Sequence, residues 1–114
     1  MADNIFTKII AKQIPAKIVY EDDRALAFRD IKPAAPVHVL IVPRREIANV
    51  TAAQAEDDSL LGHLLTVAAE IARREGVADT GYRLVINNGR DAGQAVPHLH
   101  VHLLVGRALG WPPG

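Results

Sequence analysis

Three of the chain's five histidines stand in the run His98-Leu99-His100-Val101-His102. On a β-strand successive side chains point to opposite faces, so the three imidazoles share one face and Leu99, Val101 and Leu103 share the other. Same-face neighbours sit roughly 7 Å apart, close enough for three rings to act on one small substrate. A solvated polar face on an edge strand explains one histidine well, and three in succession poorly. Two chemistries use such a row. Neutral imidazoles ligate zinc, but a hydrolytic zinc site usually keeps a carboxylate close by. Here no acid is interleaved, and Asp91 is the nearest. The other chemistry is nucleophilic: a neutral imidazole attacks phosphorus and a neighbouring one protonates the leaving group. Free imidazole titrates near 6.5, so such attack should fade below about pH 6. His38 lies in a second strand-like segment, and alone it reads equally well as structural. His63 reads as a helix-surface or packing residue.

The preceding stretch, Gly89-Arg90-Asp91-Ala92-Gly93-Gln94-Ala95, has glycines that let backbone approach a ligand and N–H groups that could meet phosphate oxygens. A plain connector has the same composition. Formal net charge is zero, so long-range attraction to nucleic acid or an anionic membrane is not expected, and an anionic substrate must be held locally. Cysteine is absent. That removes disulfides, thiolate metal sites and cysteine nucleophiles. Asp3, Lys8 and Lys12 interrupt any signal-like apolar run, and no apolar stretch approaches the roughly 20 residues of a membrane span. A soluble, cytoplasmic protein without membrane or nucleic-acid partners is the expectation.

The positioning elements emerge from periodicity. Asp3 or Asn4 can cap a short helix over 5–12 with Ile5, Phe6, Ile9 and Ile10 as its stripe, ended by Pro15. Segments 17–21 and 25–29 read as a hairpin around Glu21-Asp22-Asp23-Arg24. Segment 31–36 is irregular, with two prolines. Segment 37–42 is a β-branched strand stopped by Pro43. Leu60, Leu64, Val67, Ala68 and Ile71 mark a second helix over about 54–74, widened by Leu61, Leu65 and Ala72 and stopped by Gly76, with Thr51 as its candidate cap. Segments 82–87 and 98–105 are the remaining strands. The 114 residues suit one domain with 106–114 as a tail. The fold class is α+β with a mainly antiparallel sheet, because too few helical crossovers exist for a parallel one.

The chain resembles the histidine-triad family. The resemblance rests on His98-Leu99-His100-Val101-His102-Leu103-Leu104, which matches His-φ-His-φ-His-φ-φ with φ apolar, and on Ile5-Phe6-Thr7-Lys8-Ile9-Ile10, Ala27-Phe28-Arg29-Asp30-Ile31 and Pro36-Val37-His38. The tail from Gly106 to Gly114, with Trp111-Pro112-Pro113, resembles the nucleotide-binding (HINT) branch and argues against the dinucleoside polyphosphate hydrolase branch. The resemblance implies a homodimer in which two five-stranded sheets, each with one long and one short helix, join into a ten-stranded sheet. It implies hydrolysis of purine nucleoside phosphoramidates, conjugates of AMP or GMP, with no cofactor and no metal. A nucleotide-binding dimer that regulates a protein partner is the alternative. His100 corresponds to the nucleophile, His102 to the contact with phosphate and leaving group, and His98 and His38 to groups that orient the nucleophile. Asn87, Gly93 and the Ala95 N–H correspond to phosphate contacts, and Asp30 to the ribose ligand. Phe6, Ile9, Phe28, Ile31 and Leu40 would wall the base pocket, with Trp111 among the substrate contacts. Two positions depart from the family pattern. Ala95 stands where many members carry a hydroxyl, and Pro97 replaces an aromatic residue.

Overall fold

The computed structural model describes residues 4–114. Asn4 opens helix α1 (Ile5–Ile10): its side chain accepts the Phe6 and Thr7 N–H groups at 2.8 and 2.9 Å, and the Thr7 hydroxyl accepts the Asn4 N–H at 2.9 Å. This reciprocal capping box satisfies donors that a short helix cannot satisfy internally. Asp3, the other candidate cap, lies outside the described residues. The helix stops earlier than its stripe suggested, at Ile10, and the chain turns away through Lys12 at φ +61°.

Strands β1 (Ile18–Glu21), β2 (Ala25–Arg29), β3 (Val37–Pro43), β4 (Arg83–Val85) and β5 (Val101–Val105) form one antiparallel sheet in the order β1-β2-β3-β5-β4. The fold class expected from the sequence is the one found. Helix α2 (Asp58–Arg74) covers one face, burying Leu64, Val67, Ala68, Ile71 and Ala72 against Ala25, Ala27, Val39, Ile41, Val101, Leu103 and Val105. Leu65, assigned to the widened stripe, is instead exposed. On the other face α1 seats Phe6 and Ile9 on Leu26, Phe28, Leu40 and Val42. The chain reverses after α2 through Gly76 at φ +74°, the left-handed position that glycine occupies without steric cost.

Thr51 does not cap α2. Its N–H and hydroxyl both meet the Asn88 Oδ1, and the helix is entered through a 3₁₀ turn, Ala55–Asp57. Asp57 there is buried, accepts the Gln54 N–H at 2.8 Å and is ion-paired with Arg45. No helix among the described residues is long and apolar enough to cross a membrane.

Candidate functional site

Alternation along β3 sends Val39 and Ile41 toward α2, and His38, Leu40 and Val42 toward α1. In β5 the same rule sends Val101, Leu103 and Val105 toward α2 and His102 the other way. The β3–β5 register pairs Leu40 with His102 and His38 with Leu104. His38 and His102 are therefore diagonal neighbours on the α1 face, with His38 Nε2 2.9 Å from His102 Nδ1.

The strand begins later than the histidine spacing suggested. His98 and His100 precede it, because Pro97 cannot donate to a ladder and the Leu99 N–H is taken by the Ile47 carbonyl at 2.7 Å. Residues 98 to 101 are consequently all buried, without alternation. The rings still form a row on the α1 side. His100 and His102 have centroids 5.0 Å apart, closer than the strand repeat, and Phe6 meets His100 edge-on at 4.9 Å and His98 at 6.1 Å.

Hydrogen-bond partners assign each neutral tautomer. The Ala34 N–H donates to His38 Nδ1 at 3.0 Å, so the His38 proton is on Nε2, from which it is donated to His102 Nδ1. His102 then carries its own proton on Nε2. His100 Nδ1–H donates to the His98 carbonyl at 2.7 Å, which leaves the His100 Nε2 lone pair free. His98 Nε2–H donates to the Pro43 carbonyl at 2.9 Å, while its Nδ1 is buried without a partner. Burial lowers the pKa of His38 and His100, against the opposing pull of Asp30 on both rings and of the His98 carbonyl on His100. His102 is pushed down to about 4, first by burial and then by His100 and His38. All three are neutral at pH 7.

Asp30 terminates β2. Its Oδ1 accepts the Lys32 N–H at 2.8 Å, and its Oδ2 lies 3.5 Å from His38 Nε2. Asp30, His38 and His102 hold donor atoms within 4.8 Å of one another and, among the described residues, are the group placed to take a metal ion. In the present geometry the two ring nitrogens that face each other share a proton, so a metal bound there would require one ring to turn.

A cavity of about 310 Å³ opens beside the row. Phe6, Ile9, Phe28, Ile31 and Leu40 line it, together with Asp30, Ala95, His100 and His102. Ile5, Ile14, Pro15, Ala16 and Val96 also line it and were not anticipated, since segment 14–16 carried no periodic signal. Arg29 borders it too, with its guanidinium paired to Glu75. His38 and His98 stand behind the lining. Asn87, Gly93 and Trp111 lie outside it; Trp111 is exposed, with the Arg83 guanidinium 5.9 Å from its ring centroid.

The 89–95 loop is closed by its own bonds. A 3₁₀ turn, Arg90–Ala92, is flanked by Gly89 and Gly93 at φ +87° and +84°. The Gly93 N–H goes to the Arg90 carbonyl, so glycine serves the turn there. The Gln94 side chain accepts the Gly89 N–H and donates to the Ala48 and Val96 carbonyls. Among the described residues no acceptor takes the Ala95 N–H.

An antiparallel sheet with four imidazoles of assigned tautomer, two on its strands and two just before β5, beside an apolar cavity defines a class of small α+β proteins built around a histidine cluster. The chain belongs to the HIT domain family, whose model matches residues 11–109. It is 59% identical over 112 residues to an uncharacterized HIT-like protein of Synechococcus elongatus, covering 98% of this chain and 97% of that protein. Among solved structures, a HIT family hydrolase from Legionella pneumophila superposes with a TM-score of 0.96 at 46% identity, over 98% of this chain and 100% of that one. A histidine triad nucleotide-binding protein from Candida albicans superposes with a TM-score of 0.81 at 33% identity, over 95% of this chain and 82% of that one.

Proposed function

We propose that the protein hydrolyses nucleoside 5′-phosphoramidates through a nucleotidyl intermediate on His100. The observation that carries this reading is the His100 tautomer. Its Nδ1–H is held by the His98 carbonyl, and its Nε2 lone pair is free on a ring that lines the cavity. That lone pair forms a bond to phosphorus as the phosphorus–nitrogen bond of the substrate breaks, and the amine departs with a proton. The departing nitrogen takes its proton from solvent, while His102, neutral with its proton on Nε2 and its ring beside His100, directs that N–H at a phosphate oxygen. Water then attacks phosphorus, the bond to His100 breaks, and nucleoside monophosphate is released. The apolar lining suits a purine, Asp30 suits the ribose hydroxyls, and the free Ala95 N–H suits a phosphate oxygen. Asn87, Gly93 and Trp111 would complete these contacts in a homodimer. The nucleotide-binding and hydrolase names of the structural relatives support the same reading.

The test is turnover of a fluorogenic adenosine phosphoramidate, with and without chelator. Chelator-insensitive release of the amine, with nucleotide mass trapped on the peptide carrying His100 after rapid quenching, is the expected result. Tight nucleotide binding without turnover would favour a regulatory dimer. Turnover without any trapped adduct would favour direct attack by water.

A further inference from the structure

The polarity of the His38–His102 pair is set from outside the cavity. Among the described residues the Ala34 N–H is the one donor to His38 Nδ1. Were that donor displaced, the His38 proton could move to Nδ1 and His102 would then have to donate from its own Nδ1. A bare His102 Nε2 lone pair would remain, an acceptor where a phosphate oxygen needs a donor. Ala34 lies in the irregular connection between β2 and β3, which has no ladder of its own to hold it.

The chain beyond β5 holds it instead. β3 and β5 are paired as far as Val37 and Val105, so Gly106 and Arg107 run back alongside Pro36 and Ala34. Gly106 sits at φ +99°, and a Cβ there would stand 2.8 Å from the Pro36 Cβ, so the approach depends on glycine. From this turn Arg107 Nη2 donates to the Ala34 carbonyl at 3.0 Å, 73 residues away in sequence, and Nη1 donates to the Ala108 carbonyl at 3.1 Å. Ala34 is thereby fixed on both sides, by Arg107 at its carbonyl and by His38 at its N–H.

We infer that Arg107 is a positioning residue: by fixing Ala34 it holds His38 and His102 in the tautomers that turn an N–H, and not a lone pair, toward the substrate. Only the consequence for turnover rests on the proposed phosphoramidase function. The carboxylate of Asp30, 3.5 Å from His38 Nε2, favours the same tautomer. Loss of Arg107 should therefore weaken the preference without reversing it.

The experiment is two-bond proton–nitrogen correlation NMR of the full chain with ¹⁵N-labelled histidine at pH 7.5, where protonated and bare ring nitrogens are resolved. The native protein should show His38 and His102 each as a single Nε2–H tautomer. In Arg107→Ala both should move toward tautomer-averaged shifts, and kcat on the phosphoramidate should fall by about three- to tenfold, the value of one oriented hydrogen bond, with KM nearly unchanged. Arg107→Lys, which can still reach the carbonyl, should restore much of both. Ala34→Pro, which deletes the N–H itself while leaving Arg107 in place, should average the tautomers independently. Unaveraged Nε2–H tautomers in folded Arg107→Ala would overturn the proposal whatever the turnover. A native protein inactive on phosphoramidates would defeat the functional reading, and the NMR result would still decide this one.

Discussion

His100 turns one ring nitrogen to a main-chain carbonyl and leaves the other bare, in a setting where burial lowers its pKa. A nucleophile so placed takes up a proton less readily than free imidazole, so the acid limb of the free enzyme's kcat/KM should lie below the ordinary 6.5. His100→Ala should lower turnover by on the order of 10⁴ while far-UV circular dichroism and nucleotide affinity stay near native. Turnover by the folded variant within tenfold of native would refute the role. Asp30 has a more divided task, since it also fixes the Lys32 N–H and faces His38. Asp30→Asn keeps an acceptor for Lys32 and is the cleaner probe. A native preference for ribonucleotides over 2′-deoxy analogues of roughly tenfold should shrink in Asp30→Asn and vanish in Asp30→Ala, because a site built for hydroxyls penalises their absence. Equal affinities for the two sugars in the native protein would remove Asp30 from the ribose site.

At the scale of elements, α1 matters more than its six residues suggest. It lends Ile5, Phe6 and Ile9 to the cavity lining, and Phe6 touches the His100 ring. A helix so short has little stability of its own, and its cap does much to keep it formed. Asn4→Ala should cost about 1 kcal/mol. It should also raise KM for the nucleotide substrate more than it lowers kcat, which steady-state kinetics on the capped and uncapped proteins would show. This element was legible in the sequence, because Asn4 was a candidate cap and Ile5, Phe6, Ile9 and Ile10 recur at helical spacing, while the part of Thr7 in the cap emerges only in the structure. Strands β2 and β3 were legible for a similar local reason. The start of β5 was not: Pro97 hints at it locally, but Leu99 is claimed by Ile47, which is far away in sequence. Nor could spacing reveal the Ala34-to-His38 bond or the reach of Arg107, which depend on how β3 and β5 align.

For the whole molecule, three histidines, His38 and His100 buried and His102 partly so, are a stability term that depends on pH. Their folded pKa values lie below the unfolded value of 6.5, so between the two the unfolded chain binds protons that the folded chain refuses. Stability is therefore full above pH 6.5 and falls as pH drops toward about 4, the value for His102. Asp22 adds nothing to this loss. Though burial opposes it, hydrogen bonds from Tyr20, the Arg24 N–H and His63 hold its pKa far below the ordinary range, so its contribution disappears only at lower pH. Thermal unfolding should show Tm falling by several degrees from pH 6.5 to 4.5; a flat profile would mean that the cluster is protonated without penalty. Assembly is the other property at this scale. β4 is a sheet edge flanked by exposed Tyr82 and Ile86, while Leu65 is exposed on α2. Such an edge invites pairing, and sedimentation at micromolar concentration should find a dimer. A monomer would leave the edge unexplained.

The strand order β1-β2-β3-β5-β4 places the last strand of the chain inside the sheet, between β3 and β4. His38 and His102, 64 residues apart, meet only when that strand is inserted. Closing so long a loop is the slow, entropically costly part of assembling a topology with distant pairings. During synthesis, a ribosome-bound chain that has not yet released β5 has neither the imidazole row nor the His38–His102 hydrogen bond, however well its first hairpin has formed. The proposed chemistry at phosphorus would thus wait for β5, and activity regained after dilution from denaturant would clock its insertion.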